Sequence, residues 1–389
     1  MQNVYLDNAA TTRVRDEVIE RMNGALADCY GNPSSTHAFG RTAKTAIETA
    51  RKTIAKQLNA HPSEIIFTSG GTEADNMILR CSVRDLGVTT IITSKIEHHA
   101  VLHTVEDLMT EYGVEVHYLD LDDYGNPKMD HLERLLRADD TKKLVSLMHI
   151  NNEIGNKIDV DKVAEICKEN DAYFHSDTVQ SIGHYTWDVQ KTPIDFMTAA
   201  AHKFHGPKGV GFAYLRKNSG LKPMIVGGGQ ERGYRAGTEP YHNIVGLEEA
   251  FILAYEHLEE EATYVKDLKK YFIEKIQEAF PEAGFNGYSG DLDRSTYTLV
   301  SVRLPLSQQK SLMLLFHLDI KGIACSKGSA CQSGSNGGSH VLKEILSEEE
   351  LIKPSLRFSF SIYNTKEEID FVVEVLKDFA KDQPTSVAT

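Results

Sequence analysis

Between residues 64 and 215, short β-branched and aromatic runs alternate with segments in which apolar residues return every three or four positions. The runs are Ile65-Ile66-Phe67, Thr90-Ile91-Ile92, Val114 to Leu119, Leu144 to Ile150, Ala172 to His175, Phe196, and Val210 to Leu215. Such short, continuously apolar runs are strands covered on both faces, and strands separated by helical segments pair in parallel through crossovers. The pattern predicts an α/β fold with a mixed, mostly parallel sheet covered by helices. Ahead of it, Ile47, Ala50, Ile54 and Leu58 recur at helical spacing and predict an amphipathic helix over residues 38 to 59. After it, residues 243 to 280 read as one long helix or two successive ones. The remainder reads as strand from Thr296 to Leu304, helix from Gln308 to Leu318, strand from Leu356 to Ser361 and helix from Lys366 to Lys381, a compact α+β pattern. With 389 residues the chain exceeds the roughly 250–300 over which a single core grows, so a large unit and a smaller one are expected.

Composition narrows the function. With 41% hydrophobic and 25% charged residues the chain is an ordinary globular one, able to bury a core. A formal charge of -14 repels phosphate backbones and anionic lipid, which argues against direct nucleic-acid or membrane binding. The five cysteines are odd in number and lack C-x-x-C spacing, against a zinc site or a disulfide framework, so no metal site is expected. No apolar stretch approaches the ~20 residues of a membrane helix. The start lacks a basic segment followed by an apolar one, and a cytoplasmic location is expected.

Ligands of open α/β sheets sit at the carboxyl ends of strands, and three strand ends here are unusual. After Ile65-Ile66-Phe67 comes Thr68-Ser69-Gly70-Gly71-Thr72-Glu73, a small-residue turn opening a helix, whose free N–H groups can bind phosphate. After Tyr173-Phe174 comes His175-Ser176-Asp177-Thr178-Val179-Gln180, with a carboxylate at the mouth of a buried strand. After the strand-like Asp195 to Ala199 comes Ala201-His202-Lys203-Phe204-His205-Gly206, where a poorly solvated lysine amine is freed to attack an aldehyde. Singly these also read as a tight turn, a helix N-cap and a loop lysine. Together they supply what pyridoxal 5'-phosphate (PLP) requires: a phosphate cradle, a carboxylate for the ring nitrogen and an imine-forming lysine.

From Tyr5-Leu6-Asp7-Asn8-Ala9-Ala10-Thr11-Thr12 to Leu356-Arg357-Phe358-Ser359 the chain resembles the cysteine desulfurases of the NifS/IscS type, PLP enzymes of fold type I. Further matching segments are Gly31-Asn32-Pro33-Ser34-Ser35, Glu97-His98-His99-Ala100-Val101, Asn151-Asn152-Glu153-Ile154-Gly155 and Gly227-Gly228-Gly229-Gln230-Glu231-Arg232. The resemblance implies a large PLP-binding domain over 15–255 and a small α+β domain from 1–14 and 256–389. Lys203 would bind the cofactor covalently and shuttle protons, Asp177 would keep the ring nitrogen protonated, and Gln180 would bond the phenolic oxygen. His98 would stack on the ring and assist proton transfer, and Gly71, Thr72 and His202 would hold the phosphate. Thr238 would reach the phosphate of a neighbouring subunit, implying a two-fold homodimer with shared sites. Arg357 and Asn152 would bind the substrate carboxylate, Asn152 alternatively the ring oxygen; for Arg357 an internal salt bridge is the other reading. Ala200 departs from the family, which often carries a phosphate-binding Ser there, and weaker cofactor retention is expected.

The sulfur-accepting thiol implied by the resemblance is Cys331, in Gly328-Ser329-Ala330-Cys331, within a Gly/Ser-rich stretch (about 322–338) that reads as a mobile loop. Cys331 would receive sulfur from L-cysteine as a persulfide, with deprotonation helped by Lys327 or a histidine, and could ligate an iron–sulfur cluster transiently. Cys325, ending an apolar run, reads as a buried thiol. Asn336-Gly337-Gly338 departs from the family's Leu-Glu-Pro or Leu-Asp-Pro, so partner choice is expected to differ. The implied acceptor is an iron–sulfur scaffold or another sulfur-acceptor protein, including one serving tRNA thiolation. Competing readings are a selenocysteine lyase or other PLP-dependent β-lyase, and a non-catalytic PLP-fold binding module.

Overall fold

A computed structural model describes residues 3–327 and 338–381. In chain order its strands are β1 (Val4–Tyr5), β2 (Ile65–Thr68), β3 (Thr90–Thr93), β4 (Glu115–Tyr118), β5 (Lys143–Ser146) and β6 (Tyr173–Asp177). They continue with β7 (Phe196–Ala200), β8 (Gly211–Leu215), β9 (Gly284–Phe285), β10 (Leu299–Arg303), β11 (Ile323–Ala324) and β12 (Ser355–Ser359). Seven form one sheet in the order β2-β8-β7-β6-β5-β3-β4, in which β8 alone runs against its neighbours. β5, β7 and β8 are buried along their whole length, as strands covered on both faces must be. The sheet packs against two apolar bodies, one containing Ile47, Ile54, Phe174 and Phe212, the other Ile66, Ile78, Val105 and Phe196.

The expected sequence elements exist with shifted ends. The amphipathic helix is Ala38–Gln57, and the region after residue 243 is two helices, Tyr241–Glu256 and Leu258–Ala279. The later strands are β10 and β12, shorter than the runs that announced them, and the helices are Gln308–Ile320 and Lys366–Lys381. β9, β10 and β12 make a second, antiparallel sheet in which Arg357 pairs with Ser301. A third apolar body lies against it, built from Val4 and Leu6 together with residues between Val265 and Leu376.

The N-terminal segment joins the two sheets. β1 pairs in parallel with β11, and Ser359 N–H donates to Leu6 O at 2.8 Å beside β12. Farther along, Thr12 N–H donates to His202 O at 2.9 Å and Thr12 Oγ1 accepts from His205 N–H at 2.8 Å. The turn after β7 is thereby held from outside, including His205 in the left-handed region at φ 66°. Gly211 pairs with Ala200 where a Cβ would stand 2.2 Å from Ala199 O, so the β7–β8 pair at this turn demands glycine.

Candidate active site

The carboxyl ends of β2, β3, β5, β6 and β7 open on one cavity of about 250 Å³. Its wall includes Gly71, Thr72, His98, Asn152, Asp177, Gln180, His202, Lys203 and Arg357, nine of the residues singled out from sequence. Ala200 lines it too. Thr238 does not: it borders a separate cleft with Phe67, Ser69 and Arg235. Cys331 and most of the Gly/Ser-rich stretch lie outside the described residues.

Lys203 ends the short turn Ala201–Lys203 that follows β7, and its Nζ donates to Ala9 O at 2.6 Å and Ala10 O at 2.9 Å. Gln180 Nε2 also donates to Ala9 O, at 3.0 Å. These carbonyl contacts from the N-terminal segment went unread in the sequence, since every residue carries a carbonyl and only the fold chooses among them.

Asp177 is the last residue of β6, 6% exposed, with Oδ1 accepting from Val179 N–H at 2.9 Å. Burial, and then the charge of Asp75, push its carboxyl up to about 7. A buried carboxylate in this state gains from a cation placed against it. His98 caps the helix His99–Tyr112, Nδ1 accepting from Ala100 N–H at 3.1 Å. That bond leaves the proton of the neutral ring on Nε2. Burial, then Lys203, lower its pKa to about 4, so at neutral pH the imidazole can lie against a cationic ring without charge repulsion.

Gly70 and Gly71 open the helix Gly71–Leu86, whose first N–H groups have no intrahelical acceptor. Gly70 has φ 152° and ψ -173°, a conformation essentially reserved for glycine, and a Cβ on Gly71 would stand 2.7 Å from Val179 Cγ2. Backbone can therefore come close to a bound anion here. His202 Nδ1 is 3.2 Å from Thr11 Oγ1, and burial lowers its pKa to about 4.

Arg357, 2% exposed, donates from Nη1 to Asn152 O at 2.7 Å and from Nη2 to Asp7 Oδ1 at 2.9 Å. The internal salt bridge thus exists, yet it occupies one edge of the guanidinium. Buried Nε finds no hydrogen-bond partner among the described residues. Cys325 packs against the third apolar body, and burial followed by the Asp7 charge pushes its thiol far above the usual range.

An amine, a buried carboxylate, a helix N-terminus and a buried guanidinium around one cavity are the set that PLP and an amino-acid substrate require, and the residues fit the group. The sequence reading gave no role to three further wall residues, Asp75, Met148 and Val179. Asp75 sits inside a helix, where no strand end draws attention to it.

Comparison with known proteins agrees. The family described as "Aminotransferase class-V" matches residues 4–372. A relative from Dictyoglomus turgidum named "Cysteine desulfurase IscS" is 42% identical over 378 residues, covering 97% of this chain and 94% of its own. A solved structure described as "NIFS-LIKE PROTEIN" superposes with a TM-score of 0.88 at 36% identity, covering 97% of this chain and 99% of its own. Another, "SspA in complex with cysteine", gives 0.80 at 33% identity, with 93% and 100% covered. PLP is the cofactor of this family. The chain belongs to the class-V aminotransferases, among the PLP-dependent cysteine desulfurases of the NifS/IscS type.

Proposed function

We propose that the protein converts L-cysteine to L-alanine and takes the sulfur onto Cys331 as a persulfide. The observation that carries this is the convergence of Lys203, Asp177, His98 and Arg357 on one cavity, within a chain 42% identical to a protein named a cysteine desulfurase. When bound, PLP supplies an aldehyde for the amine and an electron-withdrawing ring that acidifies the substrate α-carbon.

The protein's own residues do the rest. The helix N-terminus at Gly71 and Thr72, with His202, holds the phosphate, and Asp177 keeps a proton at the ring nitrogen. Gln180 holds the ring oxygen through the amide N–H that Ala9 does not use. Arg357 orients the substrate carboxylate with Asn152 beside it. The amine of Lys203 moves a proton at the α-carbon, and His98 assists from Nε2. The Cys331 thiolate attacks the substrate sulfur: an S–S bond forms as the C–S bond breaks, and the electron pair left on carbon takes up a proton. Cysteine becomes alanine and the thiol a persulfide, with no outside oxidant or reductant. Cys325, its thiol raised by burial, is the weaker nucleophile.

Thr238 stands outside the cavity of its own chain, which supports a homodimer in which it serves the partner's phosphate. The division into domains at 15–255 and the remainder is supported by the third apolar body, which joins Val4 and Leu6 to residues beyond 264. Among the described residues no helix is long and apolar enough to cross a membrane, and a cytoplasmic setting is part of the proposal. The final acceptor is a sulfur-acceptor protein, an iron–sulfur scaffold foremost.

The test is mass spectrometry of the holoprotein after brief exposure to L-cysteine, alongside an assay for alanine. The expected result is one added sulfur atom on the Cys331 peptide, and loss of both sulfur and alanine in Cys331→Ser. Undiminished alanine from Cys331→Ser would instead mark a lyase that needs no persulfide.

A further inference from the structure

Asp75 lies in the first turns of the helix Gly71–Leu86, 1% exposed, and lines the same cavity as Asp177. Its Oδ1 accepts from Thr198 Oγ1 at 2.8 Å and stands 3.3 Å from His175 Nε2. His175 in turn has Nδ1 2.9 Å from Ser146 Oγ. The carboxylate is thus fixed by Thr198 on β7 and His175 on β6, the latter held in turn by Ser146 on β5, and its place owes nothing to a helix cap or a surface ion pair.

The charges around it are one-sided. Asp177 and His175 face it from β6, Glu97 from the turn after β3, and Lys203 acts on Asp177 from the turn after β7. Burial pushes Glu97 well above the carboxylate range and lowers His175 to about 4, so at neutral pH His175 brings no positive charge to offset the carboxylates. Burial raises Asp75 to about 7, against the Thr198 bond, and Asp75 in turn raises Asp177. Two buried carboxylates that repel each other are a poor way to stabilise an interior. They become favourable when a ring cation enters the cavity that both line.

We propose that Asp75, held by Thr198 and His175, is a positioning residue acting through Asp177: its second negative charge makes the cavity select a cofactor ring that carries a proton on nitrogen. This rests on the PLP site proposed above.

The test compares Asp75→Asn, whose amide oxygen still accepts from Thr198, with wild type, using PLP and its 1-deaza analogue, which has carbon in place of the ring nitrogen. Dissociation constants are measured by titrating the apoproteins. The substitution is expected to weaken PLP about 10-fold, the equivalent of one pKa unit, and to leave the deaza analogue within twofold. Equal weakening of both ligands, or no weakening of PLP, overturns the proposal. Thermal unfolding of the apoproteins is the second readout. A carboxyl raised to about 7 in the fold and about 3.9 unfolded stabilises at low pH and loses that contribution as pH climbs through 7. The melting temperature of Asp75→Asn should therefore gain on wild type between pH 5 and 8, whereas a purely structural acceptor gives a gap that does not move with pH. Should Asp75→Asn not fold, Thr198→Val carries the titration, with the same selective loss expected and equal loss overturning. Borohydride reduction of wild type with PLP separates the levels: no label on Lys203 removes the site itself, while label without selectivity removes only this inference.

Discussion

Arg357→Lys distinguishes substrate binding from internal scaffolding. The guanidinium is buried, with Nη1 on Asn152 O at 2.7 Å, Nη2 on Asp7 Oδ1 at 2.9 Å, and Nε idle among the described residues. A buried donor left unpaired costs ~1–3 kcal/mol, so a residue serving only the Asp7 bridge carries a penalty that a second carboxylate would remove. Lysine keeps the positive charge and loses the planar fork. At least one charge-assisted hydrogen bond disappears, worth ~1.5–3 kcal/mol, or roughly 10- to 150-fold in kcat/KM. A carboxylate is held alike before and during the chemical step, so the loss should fall on KM while kcat stays within about threefold. Initial rates of alanine formation against cysteine concentration, at saturating PLP, read this directly. Asp7→Asn is the companion variant: it removes the rival carboxylate, and should lower KM while lowering the melting temperature, because it leaves a buried charge without its partner. If Arg357→Lys loses thermal stability yet keeps kcat/KM within twofold of wild type, the substrate role is refuted.

Two further outcomes follow from the geometry. Gly71→Ala places a Cβ 2.7 Å from Val179 Cγ2, and the shift of the helix start should raise the PLP dissociation constant about 10-fold, read by absorbance titration. Lys269, wholly buried and donating to Ser295 Oγ and Thr296 O at 2.7 Å each, is lowered by burial to about 7. Below that pH the fold must bury a charge, whereas from about 7 to 10 only the unfolded chain binds the proton, so stability from this group rises across that window. In chemical denaturation Lys269→Met should therefore fare best against wild type near pH 6 and lose ground steadily towards pH 10; a gap independent of pH would contradict it.

How much of this was legible depends on where each residue sits in the chain. Gly71, Asp177 and Lys203 each follow an apolar run, and the end of a parallel strand is where a ligand is expected, so sequence alone drew them together. The reversed direction of β8 was not read from its apolar pattern, because a strand buried on both faces looks the same either way. The stretch from Ala200 to Gly211 is shorter than the dozen or so residues of a parallel crossover, and that spacing was the signal available. Arg357 stood out because a charge inside an apolar strand is costly, but its bond to Asp7 joins residues 350 positions apart and no local pattern reports it. Asp75 had no signal at all: a carboxylate in a helix reads as solvated until the sheet is seen to cover it. Thr238 and Cys331 rested on resemblance, the first standing in another cleft and the second outside the described residues.

The N-terminal segment explains why the two halves of the site stay in register. Asp7 binds Arg357 of β12, and two and three residues later Ala9 and Ala10 accept from Lys203 beyond β7. Three residue steps span at most about 11 Å, at roughly 3.6 Å each, so this stretch limits how far the carboxylate-binding side chain can stand from the amine. An α-amino acid carries its amine and its carboxylate on one carbon and needs both partners within such a span. A sheet at each end and a short covalent tether between them meet that need, whereas two side chains on separately packed sheets would drift with every change in the packing between them. The same logic makes the carbonyls of Ala9 and Ala10 a resting place for the amine: Lys203 is held at the cavity wall by groups whose position is set by the residue that also holds Arg357.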